Sequence, residues 1–218
     1  MKKEDIFRDI KKWYLSISNC TSPHLIRFAV KNAGNRILDM GCATGEYCQK
    51  LNELGFRCIG VDVNPEYIVK AKEKDVEAYV MDGQSLDFPN NSFDTVLLFE
   101  VLEHVNNPDV VLEEAKRVAK KNVLVTVPNC TEFLTLRRFG LTYEHMLEKD
   151  HINFFTKKEL EYLFSKHFKN FRAEEREPMA LELIRLPWWL QYPILMLLKL
   201  KLIKTDIYFR LYAIAEAE

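Results

Sequence analysis

Glycine is scarce in this chain, seven in 218 residues, yet two of the seven stand four positions apart in the stretch "ILDMGCATGEY" (37–47). The G-x-G-x-x-G pattern that brings a helix N-terminus up to a pyrophosphate is missing, which argues against a dinucleotide ligand. The five cysteines, Cys20, Cys42, Cys48, Cys58 and Cys130, are odd in number and contain no C-x-x-C pair. That spacing excludes a disulfide framework and a zinc knuckle and points to a reducing cytoplasm. An excess of either charge is absent too: 31 Lys+Arg against 32 Asp+Glu give a net charge of -1, so nothing draws the whole molecule to nucleic acid or an acidic membrane. The longest uncharged run, Leu186 to Leu198, holds two prolines and falls short of the roughly 20 residues that span a bilayer. The opening "MKKEDIFRDIKKWY" carries acids and no apolar h-region, so it does not read as a secretory leader. Internal repeats and low-complexity segments are likewise absent. With 48% hydrophobic and 12% aromatic residues, the chain has material for one substantial core, expected as a single domain over 1–218.

Apolar, β-branched runs alternate with helix-period segments, the pattern of a parallel sheet covered by helices on both faces. Strands are expected at 36–40, 57–62, 76–82, 93–100 and 121–128, then at 171–177 and 206–215. Asn64-Pro65-Glu66 and Asn107-Pro108-Asp109 each set a capping side chain before a proline at the first helical position. In the second of these helices Val111, Leu112, Ala115, Val118 and Ala119 share one face, which should cover the sheet. Ser22-Pro23 opens a helix through Lys31, residues 1–19 read as a further helix, and Thr156 with Glu159 forms a capping box before "TKKELEYLFSKH". The expected organisation is a helical cap over 1–33, a core over 34–128, an insertion at 129–155 after the fifth strand and a hydrophobic insertion at 178–205 after the sixth.

The turn after the first strand runs from Asp39-Met40-Gly41 through Cys42-Ala43-Thr44-Gly45, and its glycines let backbone approach a ligand. Ligands of parallel sheets bind beyond the carboxyl ends of strands. The acids expected there are Asp62 after the second strand, Asp82 after the third and Glu100 after the fourth. An acid a little over twenty residues past the turn can accept hydrogen bonds from both hydroxyls of a ribose, which points to an adenosine-type nucleoside. A site lined by acids and lacking a phosphate cradle suits a ligand that bears positive charge.

The stretches "ILDMGCATGEY", "GVDVNPEYIVKAKEK", "MDGQSLDFPNNSFDTVLLFEVLEHVNNPDVVLEEAKRVAKKNVLVTVPN" and "HINFFTKKELEYLF" resemble, in order, the motifs of class I S-adenosylmethionine-dependent methyltransferases. The nearest subgroup is the small-molecule type with an "EVLEHV" segment, which includes ubiquinone-pathway O-methyltransferases. The resemblance covers about residues 30–170 and implies a Rossmann-like seven-stranded sheet with S-adenosyl-L-methionine as cofactor. It implies that Asp39, Gly41 and Gly45 hold the methionine part, Asp62 the ribose, Asp82 with neighbouring Gly83 the adenine amine, and Phe99 the methionine end through its backbone, with Ala43, Val63 and Glu100 also cofactor-binding. Ala43 stands where the family usually has a further glycine.

Methyl transfer needs acceptor and donor held in line, worth on the order of 7 to 11 kcal/mol in favourable model systems, and a group to take the acceptor's proton. The candidates are Glu100, Glu103, His104, His145 and His151. If a helix turn starts at Glu100, then Glu103 and His104 at i+3 and i+4 join it on one side. That segment resembles a metal-binding E-x-x-E-H, with His151 as a further ligand, but no metal is expected: His151 is taken as base, and His104 as a brace or second base. The segment "PWWLQYPILMLLKLKLIK" (187–204) has two readings, burial against the fold or a dimer partner, and contact with a membrane surface or lipid-like acceptor through Trp188, Trp189 and Tyr192. The expected partner is a small-molecule acceptor methylated on oxygen or nitrogen, not nucleic acid, by a monomer or homodimer. Alternatives carried alongside are a metal-assisted 2'-O-methyltransferase of RNA 3' ends and a non-catalytic S-adenosylmethionine-binding regulator.

Overall fold

The computed structural model describes residues 21–130, 150–178 and 208–217, together with Trp189, Pro193, Ile194, Met196, Leu197, Leu200 and Leu202. The expectations for a helix at 1–19, for His145, for most of 187–204 and for the interior of the insertion after the fifth strand lie outside the described residues. Element order is α1 (Pro23–Asn32), β1 (Arg36–Met40), α2 (Glu46–Glu53), β2 (Arg57–Asp62), α3 (Pro65–Lys72), β3 (Ala78–Val80), β4 (Phe93–Phe99), α4 (Pro108–Val118), β5 (Ala119–Pro128), α5 (Lys157–His167), β6 (Phe171–Pro178) and β7 (Tyr208–Glu216). The strands form one mixed seven-stranded sheet in the order β3-β2-β1-β4-β5-β7-β6.

The chain divides into two compact units. The first holds β1 to β4, α1 to α3, α4 from Val110 on, and β5 up to Leu124. Here β1 pairs in parallel with β2 on one side, Arg36 opposite Arg57 through Met40 opposite Val61, and with β4 on the other, Ile37 opposite Thr95 through Asp39 opposite Leu97. The chain leaves β1 in one direction and returns on its other side, which is the switch point at which an open α/β sheet forms a ligand crevice. Ile37, Leu38, Met40, Val96, Leu97 and Leu98 are buried. The apolar face of α4 buries Val111, Leu112, Ala115 and Val118 as its periodicity predicts, whereas Ala119, expected on the same face, is the first residue of β5. Asn64 caps α3 by accepting from the Glu66 amide.

Two strand ends differ from expectation. β3 covers three residues, because its parallel partner β2 ends at Asp62; the Met81 amide reaches the Asp62 carbonyl at 3.1 Å and the ladder stops there. Asp82 therefore stands beyond the strand, in a turn bridged to Ser85. β4 stops at Phe99 because Glu100 takes a left-handed backbone, φ 56°.

The second unit comprises Glu100–Asp109 and the chain from Val125 through α5, β6 and β7. β6 and β7 pair antiparallel from Phe171 opposite Ala215 to Pro178 opposite Tyr208. The capping box of Thr156 and Glu159 is formed in both directions. At the other end of α5, His167 Nε2 lies 2.7 Å and Lys166 Nζ 3.3 Å from Asp109 Oδ1. The hydrogen bond with His167, opposed by slight burial and supported by Lys166, holds the Asp109 carboxyl below the usual carboxylate range. A depressed folded value stabilises above the unfolded value and loses that contribution as pH falls through the folded one. Thermal unfolding of Asp109→Asn should accordingly show a lower midpoint than the parent chain at neutral pH and a shrinking difference as pH falls below the ordinary carboxylate range. A difference that persists in acid would show the carboxylate is not its source.

Candidate active site

The turn between β1 and α2 is built from left-handed residues: Gly41 at φ 76°, Ala43 at 46° and Gly45 at 81°. Ala43 thus adopts the conformation for which a glycine is usual, at a cost of roughly 1–2 kcal/mol. Its amide donates to Asp62 Oδ2 at 3.0 Å, which ties the turn to the end of β2. Gly45 answers to the protein's own packing, since a Cβ there would meet the Ala71 Cβ at 2.9 Å. Lys74 braces the same turn, donating to the Thr44 carbonyl at 2.8 Å and to Glu46 Oε1 at 2.7 Å. The acid Glu46 occupies the first turn of α2, the place where a phosphate would have to sit.

Three carboxylates surround the carboxyl ends of β1, β2 and β3. Asp39 is 2% exposed and receives the Cys48 thiol at 3.5 Å. Burial, reinforced by Asp62 and Glu46 and opposed by Cys48, pushes its carboxyl up to about 7. Asp62 accepts from Ala43 through one oxygen and from the Asn64 amide, at 2.9 Å, through the other. A carboxylate offers about four acceptor sites, so two remain for a diol. Val63 beside it is exposed. Asp82 accepts from the Gln84 amide at 2.9 Å, and a Cβ on Gly83 would come within 3.2 Å of the Met40 methyl. Phe99 is buried, with the rings of Tyr47 and Phe28 at 5.7 Å and 6.1 Å. This group of acids and apolar rings fits a positively charged nucleoside.

The second unit carries its own cluster. The segment after β4 forms a tight turn, His104 N donating to the Val101 carbonyl at 3.0 Å, and the Ile152 and Asn153 amides donate to the Glu103 carbonyl at 2.8 Å and 3.0 Å. The Asn153 side-chain amide donates to the Leu102 and Val105 carbonyls. These bonds bring Glu103, His104 and His151 together, with one donor atom of each within 4.8 Å of the others. Glu103 and His151 are buried, and the two imidazole rings meet edge to face at 4.6 Å. His104 Nδ1 faces the Asp150 carbonyl at 3.1 Å, so Nδ1 carries the proton and the neutral ring keeps its lone pair on Nε2. One carboxylate and two imidazoles can serve as a proton-transfer group or as ligands of a divalent ion.

Glu100 does not join that cluster. Its side chain is held by Arg210, whose Nε lies 3.1 Å from Glu100 Oε2, while Nη1 is 2.6 Å from Glu177 Oε2. The Tyr212 hydroxyl donates to the other oxygen of Glu177 at 2.6 Å. Burial and that hydrogen bond push the hydroxyl above its ordinary value, so it remains a donor. Sequence reasoning did not find Arg210, Glu177 and Tyr212. The available signal was two polar side chains, Arg210 and Tyr212, at alternate positions of an otherwise apolar strand.

The sequence profile of the family described as "Methyltransferase domain" matches residues 14–170. An uncharacterized protein of Methanocaldococcus jannaschii is 31% identical over 147 residues, 64% of this chain and 67% of that protein. The ubiquinone biosynthesis O-methyltransferase of Bradyrhizobium diazoefficiens is 37% identical over 100 residues, 43% of this chain; the match spans only 39% of that enzyme's length. A crystal structure of a SAM-dependent methyltransferase from Archaeoglobus fulgidus shares the fold with a TM-score of 0.65 over 94% of this chain and 99% of that one, at 18% identity.

Proposed function

The chain belongs to the methyltransferase-domain family, with S-adenosylmethionine as its methyl donor, and from that premise we propose that it methylates an oxygen or nitrogen atom of a small metabolite, hydrophobic acceptors included. The small-molecule reading is supported by the relative named as a ubiquinone biosynthesis O-methyltransferase, and the observation that carries the acceptor-side chemistry is the convergence of Glu103, His104 and His151 on one point, beginning four residues past the end of β4. The relative named as an O-methyltransferase supports oxygen as the acceptor atom.

The cofactor supplies an activated methyl on a sulfonium sulfur, so the chain's own residues have three tasks: to hold the donor, to orient the acceptor, and to receive a proton. Asp39 and the Gly41–Gly45 turn serve the methionine part, Asp62 the ribose hydroxyls, and Asp82 with Gly83 the adenine. The carboxylates attract the donor's positive charge, and Glu46 at the start of α2 disfavours phosphate. His151 takes the acceptor's proton, and the buried carboxylate of Glu103 balances the charge the ring acquires. His104, fixed by the Asp150 carbonyl, positions His151. The free, buried thiols of Cys42, Cys48 and Cys58 support a reducing cytoplasm as the site of action. No helix among the described residues is long and apolar enough to cross a membrane.

Calorimetric titration tests the donor site without any knowledge of the acceptor. Asp62→Ala is expected to weaken binding of S-adenosylmethionine by about 1.5 to 3 kcal/mol, the range for hydrogen bonds to a charged group. Asp62→Asn, which keeps one acceptor for the Ala43 amide, separates loss of the diol contacts from loosening of the turn. Unchanged affinity in Asp62→Ala, or tight binding of a nicotinamide dinucleotide by the parent chain, would overturn the assignment.

A further inference from the structure

Among the described residues five other than glycine adopt a left-handed backbone, and two of them are glutamates, Glu100 at φ 56° and Glu177 at φ 60°. Glutamate lacks the short side chain that lets Asn and Asp satisfy their own backbone in this region, so the conformation persists only where surroundings impose it. For these two residues the surroundings are the same guanidinium. Arg210 gives Nε to Glu100 and Nη1 to Glu177, and its side chain is only 18% exposed. A planar fork with fixed donor directions can hold two carboxylates at a set angle, which a flexible ammonium cannot do. Glu177 is itself fixed from the other side by the Tyr212 hydroxyl, so Arg210 meets Glu100 from a rigid base.

Glu100 is the first residue of the turn that delivers Glu103 and His104. Its amide donates to the Thr126 carbonyl at 3.0 Å, and three residues on, the Glu103 carbonyl is held by the amides of Ile152 and Asn153. The segment is therefore pinned at both ends, by Arg210 at Glu100 and by residues 152–153 at Glu103. Relaxing φ at Glu100 to the ordinary negative region would redirect everything that follows it. We propose that Arg210 is a positioning residue, whose fork holds Glu100 in its left-handed turn and so sets Glu103 and His104 against His151. The proposal rests on the reading of these residues as the acceptor-side group, but its test does not require an acceptor.

The test records the histidine ring carbon–proton signals of the full chain at one pH, with His104 and His151 assigned by His104→Gln and His151→Gln. Arg210→Met is expected to shift the signals of His104 and His151 while leaving that of His24 in place. Adding Glu100→Gly should return both towards the parent positions, because glycine adopts positive φ without a side-chain grip. A role limited to stability would not be rescued this way, since Glu100→Gly restores no contact. Arg210→Lys, which keeps the charge but loses the fork, should behave as Arg210→Met and serves in its place if that variant fails to fold. Unmoved His104 and His151 signals in a folded Arg210 variant, or no return in the double variant, would overturn the proposal. If His151→Ala keeps full turnover, the base assignment fails while this spectroscopic result stands.

Discussion

Replacing His151 by alanine is expected to lower turnover by about 10² to 10⁴, the usual worth of a positioned acid–base group, and to leave S-adenosylmethionine affinity nearly unchanged. The expectation follows from placement. His151 is 8% exposed, its ring lies 4.6 Å from that of His104, and Glu103 is buried beside both. A neutral imidazole can accept a proton through its unprotonated ring nitrogen. His104, with Nδ1 turned to the Asp150 carbonyl and its side chain 29% exposed, is assigned the bracing role. Binding of S-adenosylhomocysteine and circular dichroism would show that the variant is folded and loads normally. The same three side chains also form a donor set for a divalent ion, and the two schemes separate cleanly. If a metal is used, a chelator abolishes turnover, magnesium or manganese restores it, and Glu103→Ala is as damaging as His151→Ala. Glu100→Ala should not reproduce that damage by removing a ligand, since Glu100 is committed to Arg210. Full activity of His151→Ala, with or without metal, would remove the residue from both schemes.

The legibility of the fold and of the candidate site in the sequence divides along physical lines. The parallel strands and their helices are written locally. Apolar β-branched runs form β1, β2 and β4, the Asn-Pro pairs start α3 and α4, and a capping box starts α5, so most boundaries agree within a residue or two. β3 was overextended because a strand's length depends on its neighbour: residues 81 and 82 are apolar and acidic in the right order, but β2 has already ended. Glu100 was misplaced for a different reason. A helical continuation would have put Glu100, Glu103 and His104 on one side, and periodicity alone does not report a left-handed glutamate. That conformation is imposed by Arg210, which is 110 positions away in sequence and reaches Glu100 because β7 lies beside β5, whose Thr126 carbonyl accepts the Glu100 amide. The meeting of Glu103 and His104 with His151 was anticipated through family resemblance and not through any local pattern. The Asn153 bonds that secure it carry no sequence signature of their own.

Asp39→Asn is expected to make the ligand-free protein more stable at neutral pH and a poorer binder of the donor. Burial, with the neighbouring charges of Asp62 and Glu46, pushes the Asp39 carboxyl up to about 7 from an ordinary value of 3.8, and the Cys48 thiol offsets only part of this. Between those two values the native state binds more protons than the unfolded chain, so stability falls as pH rises from about 3.8 to about 7 and is level above. The full cost above that window is of order 4 kcal/mol, an upper bound on what a neutral isostere can recover; the Asn side chain must still find partners, so a gain of roughly 1 to 4 kcal/mol is expected. Urea unfolding at about pH 5 and about pH 8 measures it, with the variant's advantage larger at the higher pH. Donor binding should run the opposite way. A sulfonium favours the ionised carboxylate, so affinity of the parent chain should rise with pH through about 7 and binding should release a proton there. In Asp39→Asn the affinity should be weaker and, across that range, lack this dependence, which calorimetry in buffers of different ionisation enthalpy would reveal. An Asn variant no more stable than the parent at about pH 8, or a parent whose donor affinity ignores pH between about 6 and 8, would mean that Asp39 ionises without cost in the free protein, its charge already balanced from within the fold.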